Sequence, residues 1–274
     1  MAIVNPLASA AEGLGVVGDH VGFYLGAVRR LPRAALRYPR EVLRLIALVS
    51  FGRGALATIG GTVVTIGFLT AFTGIELGIQ GYTQLSDLGV SVLSGFVSAY
   101  VNTRLAAPFI SGIALIATVG AGFTAQLGAM RVSEEIDALE VMGVPSMAYL
   151  VSTRIMAGLI AVVPLYAVGL IGSYLGTRSI VTLVYHQSAG SYDHYFFSFL
   201  QGRDILASIA EVAVGAAVVM AIHCFYGYRA TGGPAGVGRA VGRAVRLSLI
   251  VVLFIDLLLS LALYGSSDTL HIAG

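Results

Sequence analysis

The chain has 274 residues, of which 57% are hydrophobic and only 11% are charged; its mean hydropathy is +0.88 and its formal net charge is +2. A soluble domain of this length cannot bury so much apolar surface, so the composition indicates an integral membrane protein. All sixteen basic residues are arginine, which excludes a Walker A ATPase and Schiff-base catalysis because both need a lysine. The single cysteine, Cys224, excludes a disulfide framework or a multi-cysteine metal site within one chain.

The N-terminal segment, residues 1–50, is basic and is interrupted by prolines. The first 25 residues include Glu12 and Asp19 and lack a basic stretch followed by an apolar core, so no cleaved secretory signal is expected. Residues 20–50 carry six arginines and one glutamate among apolar residues, and Pro32 and Pro39 divide them into short pieces. This pattern predicts an interfacial helix whose arginines reach lipid headgroups. An ordinary basic cytoplasmic tail is the alternative.

The remaining 51–274 form one predicted transmembrane domain with five or six crossings. Arginine decides the number, because cytoplasmic loops collect basic residues. A five-span arrangement puts thirteen arginines on the inner side and three on the outer side, whereas six spans give ten and six. The sequence therefore predicts an all-α integral membrane protein with a cytoplasmic N-terminus and an outer C-terminus, and with 84–104 as a short outer-side helix or re-entrant segment. The apolar stretches fall at about 54–79, 88–102, 108–130, 155–177, 205–227 and 247–265.

An acidic segment, residues 133–143, lies between the predicted second and third spans. Ser133 is a suitable N-cap, Glu134 and Glu135 suit the positive end of a helix dipole, and Gly143 followed by Pro145 supplies a stop. Apolar residues recur on one face and acids on another, namely Val132, Ile136, Leu139 and Met142 against Glu134, Asp137 and Glu140. This predicts a short amphipathic helix that could dock into a groove on a separate motor protein. A merely solvated loop helix is the alternative.

The acidic segment resembles the signature of the YrbE/MlaE permeases. The run from Glu134 to Gly143, followed by Leu150-Val151-Ser152-Thr153-Arg154, carries the most specific part of the resemblance. Gly78-Ile79-Gln80-Gly81-Tyr82 resembles a further family segment, as does Gly236-Val237-Gly238-Arg239-Ala240 with the later Ala244-Val245 and Ile255-Asp256. The resemblance covers roughly 45–266. It implies a lipid-transporting ABC permease with five transmembrane helices and an N-terminal interfacial helix, located in a bacterial inner membrane.

The resemblance also implies partners and assigns a role to the acidic segment. The expected partners are a cytoplasmic ATPase dimer, which holds ATP and Mg²⁺, a second permease chain, Mce-domain lipid-binding proteins and the lipid. This chain is then no enzyme and binds no cofactor, metal or nucleic acid. The arginine-rich, lysine-free composition favours an actinobacterial system of this kind. The residues expected to couple it to the ATPase are Ser133, Glu134, Glu135, Ile136, Asp137, Leu139, Glu140, Met142 and Gly143.

Several charges of the family pattern are missing from this chain. Where the family has Arg-Glu-x-Gly-Pro, the sequence reads Arg104-Leu105-Ala106-Ala107-Pro108, and Thr118 and Gln126 replace a usual arginine and glutamate. Charged side chains inside a membrane cost free energy, so those that are present usually serve a function. We therefore expect this chain to pair with a second, non-identical permease that keeps them.

The candidate lipid pathway combines an outer mouth with intramembrane acids. Three acids, Glu76, Glu211 and Asp256, lie in or near apolar spans. Asp256 matches a position that the family retains, and it either lines the pathway or makes a structural hydrogen bond between helices. The predicted pathway residues are Leu77, Gln80, Tyr82, Arg104 and Asp256. Gly74 and Gly78 form a small-xxx-small pair that predicts close helix packing. A non-transporting scaffold and a secondary transporter are the rival functions.

Overall fold

A computed structural model describes residues 6–52 and 61–264 of the chain, and these residues form ten helices and no strand. Five helices in the described ranges are long and apolar enough to cross a membrane, as predicted: α4, α5, α7, α9 and α10. The helices are α1 (Pro6–Arg29), α2 (Leu31–Arg37), α3 (Pro39–Phe51), α4 (Gly61–Asp87), α5 (Ser91–Val132), α6 (Glu135–Val141), α7 (Met147–Val184), α8 (Ala189–Phe199), α9 (Gly202–Tyr228) and α10 (Gly233–Tyr264).

The prolines divide the N-terminal segment as expected. Helices α2 and α3 each carry a proline in the first turn, where its missing N–H costs nothing. Helix α3 is amphipathic: Val42, Leu45 and Val49 are buried against α7, whereas Leu43 on the opposite face is exposed. The segment therefore packs on the transmembrane bundle through one face and leaves its arginine-bearing face open, which fits an interfacial position.

The prediction of a separate segment at 84–104 was wrong, because Ser91–Val132 is one helix of 42 residues. Pro108 does not end the helix. The preceding Ser98–Ala106 has wider turns of π-helical geometry, which accommodate the loss of the backbone hydrogen bond that Pro108 cannot donate. Two polar residues of this stretch, Asn102 and Thr103, are paired with α7. Asn102 Nδ2 donates to Thr177 Oγ1 at 2.9 Å, and the Thr103 and Tyr174 hydroxyls lie 2.6 Å apart.

Helices α4 and α7 share the most extensive helix–helix interface of the described residues. A side chain on Gly74 would overlap the carbonyl of Ser173, and one on Gly78 would overlap Ile180. The Thr177 hydroxyl donates to the Gly74 carbonyl at 2.7 Å across the interface. The glycine pair therefore permits close helix packing, as its spacing predicted.

The connections between spans gather at two ends of the bundle. At one end, Arg229 pairs with Asp19 of α1 at 2.8 Å, and the hydroxyls of Tyr228 and Ser146 lie 2.7 Å apart. The N-terminal segment and α6 therefore share this end. At the other end, Ser94 donates to Gln187 at 2.5 Å, close to α8. The loops that the arginine count assigned to one side of the membrane therefore lie at one end of the bundle. Which end faces the cytoplasm stays a prediction.

Candidate coupling and substrate sites

Helix α6 begins later than the sequence predicted, and Ser133 is not its N-cap. The Ser133 hydroxyl donates to the Ala129 carbonyl and the Glu135 carboxylate, both at 3.0 Å, so Ser133 closes the last turn of α5. Glu134 then occupies the N-cap position with a φ of 60°, in the left-handed region. Only Ser133 and Glu134 separate the two helices, and Glu134 is strained, so the chain turns sharply and the serine stays with the helix that precedes it.

The end of α6 agrees with the prediction. Gly143 has a φ of 75°, which favours glycine, and its N–H donates to the Glu140 carbonyl at 2.9 Å. The Val144 N–H donates to the Leu139 carbonyl, also at 2.9 Å. These bonds satisfy the last carbonyls of the helix and direct the chain into Pro145, which precedes α7.

The predicted apolar face of α6 divides into a buried part and an exposed part. Ile136 is completely buried and Leu139 is half-buried, so they attach the helix to the bundle. Val132 and Met142 were predicted to share this face, but they are 39% and 68% exposed, and Val141 is 90% exposed. The same segment also exposes four acids, namely Glu134, Glu135, Asp137 and Glu140.

Two polar contacts tie α6 to neighbouring spans. Arg131 at the end of α5 pairs with Asp137 at 2.6 Å. Glu140 Oε1 accepts hydrogen bonds from the Ser146 hydroxyl at 2.5 Å and from the Tyr228 hydroxyl at 3.3 Å. Tyr228 is the last residue of α9. Of the predicted coupling residues, Glu140 therefore connects α6 to the fourth span, while Glu134 and Glu135 remain open to a partner.

A buried ion pair lies at the opposite end of the bundle. Arg104 Nε and Nη2 both donate to Asp204 Oδ2, at 3.0 and 2.8 Å, and the two side chains are only 4% and 10% exposed. The guanidinium lies 4.2 Å from the Tyr100 ring centre and 4.6 Å from that of Tyr264. Pairing and aromatic contact together stabilise a charge that the membrane interior would otherwise penalise.

A cavity of about 580 Å³ adjoins this pair, and its wall includes both Arg104 and Asp256. The structure thus brings two predicted pathway residues to one cavity. Gln80 instead donates to Glu76 at 3.2 Å, Tyr82 stacks on Tyr185 at 4.3 Å, and neither lines this cavity. Leu77, half-buried on α4, is also absent from its wall.

Sequence reasoning missed Asp204 and did not connect Glu211 with Asp256. Asp204 and Glu211 are seven residues apart on α9 and therefore share a helix face, and both are buried. The spacing was visible in the sequence. Their partners were not, because Arg104 lies 100 residues from Asp204 along the chain.

Helix α8 is fixed to α7 by an ion pair with two parallel hydrogen bonds. Arg178 Nε and Nη2 donate to the two carboxylate oxygens of Asp193 at 2.8 and 2.9 Å. The Arg178 hydrogen bonds hold the pKa of the Asp193 carboxyl below its usual value. Burial of the neighbouring Tyr192 raises the pKa of its phenol to about 12.

Comparison with known proteins gives a consistent set of relatives. The family described as Permease MlaE matches residues 51–262. A probable ABC transporter permease protein of Rickettsia bellii is 28% identical over 244 residues, covering 89% of this chain and 90% of the relative. The protein TRIGALACTOSYLDIACYLGLYCEROL 1, chloroplastic, of Arabidopsis thaliana is 31% identical, covering 73% and 58%. The intermembrane phospholipid transport system permease protein MlaE of Haemophilus influenzae is 27% identical, covering 71% and 75%.

Proposed function

This chain belongs to the MlaE permease family, and we propose that it is the subunit through which a separate ATPase drives lipid across the membrane. The exposed surface of α6 carries this proposal. A solvated helix has no need to expose Val141 and Met142 beside four acids, whereas a docking helix needs an apolar contact surface with charges around it. The expected partner surface is an apolar groove with basic residues at its rim.

The contacts of α6 support a route for force into the bundle. ATP and Mg²⁺ are bound by the partner dimer, and this chain performs no hydrolysis. Movement of α6 acts on α5 through Arg131–Asp137 and on α9 through Glu140, Ser146 and Tyr228. Since α9 also carries Asp204 and Glu211, the same helix reaches the cavity at the other end. The proposed mechanism is alternating access, in which two permease chains open and close a central lipid cavity.

The exposed faces of α4 and α10 support a second permease chain. Among the described residues, α10 is the least buried span, because only 11% of its apolar 18-residue stretch is buried within the chain. Glu76 on α4 is exposed, and a carboxylate in a span tends to face a partner or a wet cavity. We propose a non-identical partner, as the missing charges at Leu105, Thr118 and Gln126 suggest. The exposed apolar residues are Val64, Phe68, Leu69, Phe72, Ile79, Leu249, Ile250, Leu253, Phe254, Leu257, Leu258 and Leu261.

The proposed setting is a bacterial inner membrane with α6 on the cytoplasmic side. The N-terminus is then cytoplasmic, the C-terminus lies outside, and the end that carries α8 faces the Mce-domain lipid-binding proteins. Thiol labelling of a single cysteine placed at Ala138, in a chain with Cys224 replaced by alanine, tests this directly. Labelling only from the outer side would contradict the proposal.

The coupling role is tested by reversing Glu134 and Glu135, the two exposed acids that make no ion pair or hydrogen bond with α7 or α9 in the described residues. In the assembled transporter, Glu134→Lys with Glu135→Lys is expected to lower lipid-stimulated ATPase activity at least tenfold while the chain stays in the membrane. Asp87→Lys is the matched control, since Asp87 is an exposed acid at the opposite end. Lipid transfer that persists at the wild-type rate in the double variant would favour the scaffold or the secondary transporter instead.

A further inference from the structure

Three arginines line one cavity at the beginning of α10. The cavity has a volume of about 670 Å³, and its wall consists of Thr231, Arg239, Gly242, Arg243 and Arg246. None of these arginines forms an ion pair within residues 18–52 and 61–264, and no acidic side chain of those ranges lines the cavity. Positive charges that share one concave surface without a carboxylate attract anions, so the expected occupant is negatively charged.

Neighbouring groups hold the arginines around the cavity. The Arg243 guanidinium lies 5.8 Å from the centre of the Tyr226 ring. Gly232 has a φ of 86°, and a side chain at this position would approach Arg239 Nη2 to 3.1 Å, so the glycine lets the guanidinium lie against the turn before α10. A side chain on Gly242, in contrast, would enter open space, since it would meet no neighbouring atom within 4 Å. The cavity therefore has room for a ligand beside its guanidinium groups.

The cavity lies at the depth of lipid headgroups. Arg246 directly precedes the run 247–264, in which Asp256 is the one charged residue. As a helix, that run is about 27 Å long, which is close to the thickness of the hydrocarbon core. Arg246 therefore marks the edge of the core, and Arg243 and Arg239 lie about 5 and 10 Å farther out along the helix, through the headgroup layer. Both leaflets have headgroups at this depth, so the placement holds for either orientation of the chain.

The arginines continue into an apolar strip on the same face of α10. Three exposed apolar residues follow Arg246 at spacings of four, three and four residues, namely Ile250, Leu253 and Leu257. At about 3.6 residues per turn, these residues and the three arginines lie within about 40° of one line along the helix. A lipid matches such a strip with both of its parts, whereas a soluble anion would use only the charged part. Phe254 and Leu258, which are exposed beside the strip, remain available to a second permease chain.

We propose that this cavity binds the headgroup of a lipid that carries two phosphate groups, as diphosphatidylglycerol does, with its acyl chains along Ile250, Leu253 and Leu257. A single phosphate would leave two of the three guanidinium groups uncompensated, and basic pockets at the ends of spans are suited to headgroups with several phosphates. The tendency of inner loops to collect arginine accounts for basic residues near α10, but not for their alignment around one cavity.

This lipid is distinct from the transported substrate. Tyr226, which contacts Arg243, and Tyr228, which contacts Ser146 beside α6, both belong to the last turn of α9. The arginine cavity therefore lies at the α6 end of the bundle, opposite the cavity that Arg104 lines. The site adds to the proposed function and does not depend on it.

Competition between lipids tests the site on the assembled transporter. Purified complex is stripped of lipid and given an equal mixture of diphosphatidylglycerol and phosphatidylglycerol with the same acyl chains, and native mass spectrometry counts the lipids retained per complex. We expect about a tenfold preference for diphosphatidylglycerol, because its second phosphate adds a charge-assisted hydrogen bond. Replacing the three arginines, Arg239→Gln with Arg243→Gln and Arg246→Gln, should release one diphosphatidylglycerol per copy of this chain. Wild-type retention in this triple variant would overturn the proposal.

A second variant blocks the cavity without changing its charge. In Gly242→Leu, the new side chain fills open space in the cavity wall, so we expect the same loss of one diphosphatidylglycerol. Leucine is a better helix former than glycine, so the variant is expected to fold. Undiminished retention in Gly242→Leu would show that the lipid does not enter this cavity.

The matched control removes the same number of exposed arginines from the same end of the bundle. Arg33→Gln with Arg37→Gln and Arg40→Gln lies outside this cavity and should keep the bound diphosphatidylglycerol. An equal loss in the control would mean that the net charge of this end selects the lipid, which would overturn the site.

Two further readouts separate a lipid from other anionic occupants. The water-soluble, deacylated headgroup of diphosphatidylglycerol, added in large excess, should not displace the lipid, because it lacks the chains that contact the apolar strip. Displacement would identify the site as one for a soluble phosphate compound. If the arginine triple variant keeps its lipid but loses the ATPase subunit, the cavity is a protein contact and the lipid proposal fails.

Discussion

The two ends of the bundle hold their charges in opposite ways. Near α6 the ion pairs are open to solvent: Arg131 and Asp137 are 37% and 56% exposed, and Arg229 and Asp19 are 46% and 64% exposed. At the other end, Arg104 and Asp204 are almost completely buried. An exposed pair contributes little to stability, whereas breaking a buried pair leaves a stranded charge. The comparison teaches that the α6 end is suited to exchanging partners and the cavity end to holding a fixed electrostatic arrangement.

The largest expected effect comes from breaking the buried pair. Asp204→Asn leaves Arg104 without its carboxylate, and we expect a loss of about 3–5 kcal/mol in the free energy of unfolding. Asp19→Asn, which breaks an exposed pair, is the matched control and should cost less than about 1 kcal/mol. Unfolding in mixed micelles measures both. A double variant, Arg104→Met with Asp204→Leu, should recover part of the loss, and equal costs for the two single variants would remove the contrast between the ends.

A smaller effect is expected from the hydrogen bonds that join α6 to α9. Tyr228→Phe removes the hydroxyl that contacts both Ser146 and Glu140, at a cost of about 1 kcal/mol in unfolding free energy. We expect lipid-stimulated ATPase activity to fall several-fold while basal ATPase activity is kept, because docking is intact but transmission is weakened. Tyr226→Phe, on the same helix without this contact, is the control. Unchanged stimulation in Tyr228→Phe would show that force takes another path.

The Arg178–Asp193 pair is intermediate in exposure and should respond to pH. Because the pKa of Asp193 is lowered in the folded protein, the pair stabilises the fold above the unfolded-state value of about 4 and loses that contribution as the pH falls through the folded-state pKa. Thermal unfolding between pH 6 and pH 3 should therefore show a steeper decline for the wild type than for Asp193→Asn. Parallel declines would place the acid sensitivity elsewhere.

The smallest effect is expected for the exposed pair beside α6. Arg131→Gln should change the unfolding free energy by less than about 1 kcal/mol, and the change should disappear in high salt because solvent-exposed charges are screened. Unfolding at low and high ionic strength provides the measurement. A large, salt-independent loss would mean that this end also depends on a fixed charge.

The sequence could predict features that are set locally, but not those that depend on distant partners. Hydropathy and the placement of arginine were enough for five spans, and the turn residues Gly143 and Pro145 were enough for the end of α6. Local rules failed at Ser133, where two adjacent helices compete for one side chain. They failed again at 84–104, because the apolar stretch 88–102 is short for a span and only the partners of Asn102, Thr103 and Arg104 on α7 and α9 show that the helix continues through this polar run. Such partners are set by tertiary packing, which one sequence does not reveal.

Helix α5 runs without a break between the two ends of the bundle, through the π-helical turns at Ser98–Ala106 and Ile116–Gly120. Its 42 residues span about 63 Å, roughly twice the hydrocarbon thickness of a bilayer. Tilting such a rod by about 10° around its middle would swing each tip by about 5 Å, in opposite directions. If the helix moves as one body, a push on the tip beside α6 sweeps the far tip in the opposite direction, and the two sides of the membrane stay in step.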